Sequence, residues 1–156
     1  MIHKLTIMEL KIYLAMLLIG GSSYCFAQTG TQNEPSKDAF ITQFMQAYTA
    51  NDAVVLKKLL TNGAKITIPG KSEQIAISKS DYLQLIKQTG KEQQSCSTSY
   101  KIISSTVNAL TAQVYFVYSS YAIQNTIKAE NKSGTWKITE LIKAFMPGSQ
   151  PAIVKQ

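Results

Sequence analysis

The chain has 156 residues, 45% of them hydrophobic and 16% charged, and its 16 lysines and arginines outnumber nine acids for a formal net charge of +7. Every one of those cations is a lysine, the one histidine is His3, and the cysteines are Cys25 and Cys96. Arginine clamps for phosphate are therefore excluded and, past His3, so are imidazole bases, Ser/His/Asp triads and histidine-bearing zinc clusters.

Residues 1–27 read as an export signal. Lys4 and Lys11 make a charged start, Ile12 to Gly21 supplies about ten mostly apolar residues, and small residues lead to Ala27, after which cleavage leaves Gln28 as the new terminus. That stretch is half of the roughly twenty residues a spanning helix needs, so no integral membrane segment is expected in the mature chain. Lipid attachment at Cys25 is disfavoured by the bulky Tyr24 beside it. The expected destination is the periplasm or the cell exterior. Cys96 then has no intramolecular partner, so the fold must hold without a disulfide, and pairing between chains stays open. Loss of the signal leaves 14 lysines against eight acids, a net of +6. The lysines are scattered, with Lys57-Lys58 the densest pair. A solvated surface is the reading, with no nucleic-acid partner.

Gln28 to Pro35 is polar and predicts a disordered leader, and residues 36–146 form one domain, followed from Pro147 by a flexible tail rich in proline and glycine. Phe40, Ile41, Phe44, Ala47 and Tyr48 make one apolar stripe at helical spacing, with Ser36 as N-cap. Asn51-Asp52 restarts the chain, and Val55, Leu56, Leu59 and Leu60 predict a second short helix ended by a left-handed cap at Asn62-Gly63. Ala64 to Ile68 alternates like a strand until Pro69-Gly70. A third helix starts at Ser78, where Ser78-Lys79-Ser80-Asp81 is a shortened capping box, and carries Tyr82, Leu85 and Ile86 inward. From there the period changes to that of strands, near 95–104, 110–121, 122–131 and 135–145, with Lys132-Ser133-Gly134 as a hairpin signal, so an antiparallel meander is expected. In the strand from Thr111 to Tyr121, Ala112, Val114, Phe116 and Tyr118 share one face and Tyr115, Val117 and Tyr121 the other. In the last strand Trp136, Ile138, Glu140 and Ile142 share a face opposite Lys137, Thr139 and Lys143.

This order resembles the NTF2-like, or SnoaL-like, superfamily over about residues 36–146. The resemblance rests on Phe40-x-x-x-Phe44-x-x-x-Tyr48, the Asn51-Asp52 break, Ala112-x-Val114-x-Phe116-x-Tyr118 and the closing Gly134-Thr135-Trp136-Lys137-Ile138 hairpin. It implies an α+β fold in which three N-terminal helices pack on a strongly curved antiparallel sheet to leave a cone-shaped hollow. The implied pocket is lined by Phe44, Tyr48, Tyr82, Phe116, Tyr118, Trp136 and Glu140, although each aromatic also has a simple core role. By analogy with ketosteroid-isomerase-like members, Glu140 would be a proton acceptor and Tyr118 a hydrogen-bond donor, without a cofactor or metal.

Two readings of Glu140 stand side by side. Facing its apolar row, the carboxylate would have its pKa raised by desolvation and could move protons. A bulge after Ile138 would instead turn Leu141 inward and Glu140 out. Asp38, Asp52 and Asp81 sit at helix starts, where capping accounts for them. The expected function is non-catalytic binding, at the mouth of the cone, of a small, largely apolar molecule or a protein partner. The alternatives are a cofactor-free isomerase or lyase, and a structural module forming homodimers through Tyr115, Val117 and Tyr121 on the outer sheet face.

Overall fold

The computed structural model describes residues 36–90 and 95–147, so the predicted export signal (1–27), the leader (28–35) and the tail beyond Pro147 lie outside the described residues. Each helix begins where a short polar side chain can satisfy the first free N–H groups. Helix α1, Lys37–Thr49, starts at Ser36, whose Oγ accepts from the Ala39 N–H at 3.1 Å. Its buried residues are the expected stripe of Phe40, Ile41, Phe44, Ala47 and Tyr48. Asn51, with a positive φ of 50°, turns the chain into α2, Ala53–Leu59, where Asp52 Oδ1 accepts from Val54 and Val55 at 2.9 and 3.0 Å.

Helix α2 does not end in a left-handed cap. Leu60 is already extended and opens strand β1, Leu60–Pro69, because it pairs with Ile138 in the sheet. A sheet partner from the far end of the chain thus overrides the local signal of Asn62-Gly63. Strand β2, Gln74–Ile77, lies in a stretch for which the pattern predicts no element, and it covers the outer edge of β1. Helix α3, Lys79–Gln88, starts at Ser78, whose Oγ accepts from the Asp81 N–H. It buries Tyr82, Leu83 and Ile86, whereas Leu85, expected inside, is 45% exposed.

The remaining strands are β3 (Ser97–Ser105), β4 (Ala109–Val117), β5 (Tyr121–Lys132) and β6 (Thr135–Pro147). They form the expected meander, and the β5–β6 hairpin turns through Ser133 and Gly134, both at positive φ (53° and 78°), the backbone a two-residue hairpin loop needs. Sheet order is β2-β1-β6-β5-β4-β3. The sheet is curved, unclosed and mixed rather than antiparallel, for β1 runs parallel to β6 through Lys65/Glu140, Ile66/Leu141 and Thr67/Ile142. A parallel pair needs a long crossover, here the whole of the intervening chain, so no local pattern reports it.

One irregularity sets the inner surface. Lys128 pairs with Glu140 but Ala129 pairs with Ile138, so Thr139 is an extra residue on β6. A bulge of this kind exchanges the two faces of the strand beyond it. Trp136 and Ile138 face the helices before it, and Leu141 does so after it.

Phe44 and Phe116, both fully buried, meet edge-on at 6.4 Å between centroids, Tyr48 lies 4.2 Å from Phe116, and Phe40 tilts against Trp136 at 6.0 Å. This aromatic layer binds α1 to the sheet, each fully buried ring contributing about 1.5–3 kcal/mol through removal of apolar surface from water.

Candidate functional site

Four elements converge on a cavity of about 440 Å³ beside the aromatic core. Strand β1 supplies Ile68 and Pro69, α3 and its C-cap supply Tyr82, Leu85, Ile86 and Thr89, β5 supplies Tyr121 and Ile123, and β6 supplies Lys143 and Phe145. Leu85 and Phe145, about half exposed, form its rim. Such a volume falls within the range of roughly 300–1,000 Å³ typical of small-molecule sites, and the walls are apolar with a few polar groups, as those sites are.

Those polar groups have distinct surroundings. Tyr82 is almost wholly buried and its hydroxyl has no hydrogen-bond partner. Burial first, and then the neighbouring Tyr48, push its phenol well above the ordinary value of 10.0. Lys143 is half-buried and holds its ammonium 5.7 Å from the centre of the Tyr48 ring, within reach of a cation–π attraction. It takes part in no ion pair among the described residues. Across the β5–β6 ladder from Lys143 stands Asn125, fully buried, with neither amide atom hydrogen-bonded. An unmade hydrogen bond at a buried polar group costs about 1–3 kcal/mol, so retaining an amide there runs against stability.

An aromatic row borders the cavity. Tyr118 stacks on Tyr121 at 4.5 Å, and Tyr121 lies 5.2 Å from Phe145. Burial pushes up the Cys96 thiol, an effect partly offset by the hydrogen bond from Tyr118. Burial chiefly, with Tyr48, Cys96 and Tyr121 nearby, also raises the Tyr118 phenol.

Of the seven residues expected to line a hollow, Tyr82 alone is among those bounding this cavity. Phe44, Tyr48, Phe116 and Trp136 are in the core, with Tyr48 touched by Lys143. Tyr118 lies past the end of β4 and reaches the site through Tyr121. Glu140 is not in the wall: the bulge at Thr139 turns it to the other face, where it forms a 2.6 Å ion pair with Lys128 and pairs in register with Lys65. Tyr121 is likewise separated from Tyr115 and Val117, because β4 ends at Val117 and the Tyr118–Tyr121 turn carries Tyr121 inward. Glu140 thus follows the second of its two expected readings, the bulge after Ile138, which also carries Lys143 and Phe145 inward, two residues the sequence reading did not single out. The local signal for that bulge is the carboxylate of Glu140 interrupting an otherwise apolar row of Trp136, Ile138 and Ile142.

Of the helix-start acids, Asp52 caps α2 and Asp81 accepts from Ser78 Oγ as expected, whereas Asp38, behind the Ser36 cap, accepts from the Tyr100 hydroxyl of β3 at 2.7 Å and so ties α1 to the sheet. Among the described residues no cluster of three or more His, Cys, Asp or Glu side chains is placed to hold a metal ion, and no helix is long and apolar enough to cross a membrane.

No protein-family model matches the chain, and no curated protein matches it. Solved structures do. An NTF2-like protein of unknown function from Silicibacter pomeroyi is 12% identical, with a TM-score of 0.61 over 69% of this chain and 91% of that one. An NTF2-like protein of unknown function from Shewanella baltica is 11% identical, with a TM-score of 0.61 over 69% and 89%. A ketosteroid isomerase-like protein from Erwinia carotovora atroseptica is 11% identical, with a TM-score of 0.54 over 69% and 92%. At these identities the likeness is one of fold.

Proposed function

We propose that this chain, which has the NTF2-like fold, is an exported, non-catalytic domain that binds a small, largely apolar molecule in the cavity between α3 and the ends of β1, β5 and β6. The observation that carries this reading is a largely apolar wall of Ile68, Pro69, Leu85, Ile86, Ile123 and Phe145, to which Lys143 adds a polar group. Apolar walls supply affinity and a few fixed polar groups supply orientation. Chemistry of the isomerase type would call for a carboxylate in that wall, and no Asp or Glu is among the lining residues.

The neutral fluorophore N-phenyl-1-naphthylamine tests the reading directly. It is expected to brighten on mixing with the protein and to saturate. Leu85→Trp, which places an indole at the rim where the side chain is 45% exposed, should weaken that binding about tenfold or more while leaving the melting temperature within a few degrees. A titration with no saturable signal, or one that Leu85→Trp leaves untouched, removes the cavity as the binding site.

A further inference from the structure

We propose, resting on the binding role above, that the ligand is a small organic anion with a flat, ring-bearing body, and that Lys143 is the residue that selects its charge. Among the described residues, Lys143 is the only formally charged side chain in the cavity wall. The acids of β6 itself and of the neighbouring β5 are already engaged elsewhere: Glu140 with Lys128 at 2.6 Å and Glu130 with Lys132 at 3.2 Å. Its ammonium therefore meets the Tyr48 ring but no counter-charge among the described residues.

An ammonium turned toward an apolar hollow is costly without an acceptor, and a carboxylate or sulfonate entering from the open side would provide one through a charge-assisted hydrogen bond. The rest of the ligand is suggested by the aromatic row in which Tyr118 stacks on Tyr121 and Phe145 tilts against Tyr121, with successive centroids 4.5 and 5.2 Å apart, against which a planar ring can pack. Lys143 reaches this position only because Thr139 is an extra residue in β6, which exchanges the faces of everything beyond it.

The test compares two probes that share one aromatic body: 8-anilinonaphthalene-1-sulfonate, which is anionic, and N-phenyl-1-naphthylamine, which is neutral. Lys143→Met should weaken the anionic probe about tenfold and leave the neutral one within about twofold, so that the ratio of dissociation constants moves about tenfold. Lys143→Arg should keep most of the anionic affinity, and Lys101→Met, on an exposed face of β3, should change neither. Raising the salt concentration should weaken the anionic probe alone. Equal losses for both probes in Lys143→Met would make Lys143 a packing residue and overturn the assignment, as would no loss for either. Should the neutral probe bind and the anionic one not, the anion is wrong and the cavity stands; should neither bind, both fall.

Discussion

Tyr82 is the most deeply buried ionisable group bordering the cavity, and its raised pKa makes it a pH-sensitive element of stability. A phenol whose folded pKa exceeds its unfolded value keeps its proton in the fold after the unfolded chain has begun to lose it. Its contribution is thus fully present below the unfolded value of 10.0 and is lost as pH rises from there toward the higher folded value. Denaturant unfolding measured between pH 8 and 12 should show stability falling from about pH 10 upward. Tyr82→Phe should make that fall shallower without abolishing it, since Tyr118 and Tyr100 are raised too. At neutral pH the same variant should be near neutral or stabilising, because the hydroxyl it removes has no partner. An unchanged alkaline limb would show that other phenols control it. Lys143 belongs to the same scale: one ammonium, displaced to the inner face by a single extra residue, sets the charge of the wall.

Helix α2 has only seven residues, too few to persist alone, so its start and its packing decide its existence. Asp52 Oδ1 satisfies two of its first N–H groups, and the Lys137 ammonium donates to the Lys58 carbonyl at the opposite end. Asp52→Ala should cost about 0.5–2 kcal/mol in equilibrium unfolding, and Asp52→Asn, which keeps an accepting oxygen, appreciably less. Equal losses for the two variants would assign the effect to charge rather than capping. The helix starts at Ser36, Asp52 and Ser78 were legible in the sequence because a cap is made by atoms within three residues of one another. Its predicted end was not. Asn62-Gly63 is a sound local stop signal, but the pairing of Leu60 with Ile138 takes the chain into the sheet before that signal can act. The bulge at Thr139 stood in the sequence only as one of two readings, because the pairing of β5 with β6 decides it and with it the placement of Glu140, Leu141 and Lys143.

At the scale of the whole molecule, the stripe of α1 and the inner face of β4 meet in a single aromatic layer around Phe116, which is fully buried and contacts both Phe44 and Tyr48. Phe116→Ala should cost about 3–5 kcal/mol, read from the shift in denaturation midpoint, through lost burial and the cavity left behind. A loss below about 1 kcal/mol would mean that the layer closes over the gap. Helix α1 is joined to the sheet through this layer, whereas the cavity is bounded by α3 and the strand ends. Periodicity and caps, which depend on neighbours one turn or one pleat away, determined the three helices, the meander and the core stripe from the sequence alone. The tertiary structure decided which face each side chain of β6 presents, that β1 joins the sheet in parallel, and hence that Lys143 rather than Glu140 lines the hollow. Strand pairing over long sequence separation is settled by the total fit of the sheet, and a single inserted residue inverts a period-two pattern, so a carboxylate in an apolar row leaves two registers open until the partner strand selects one.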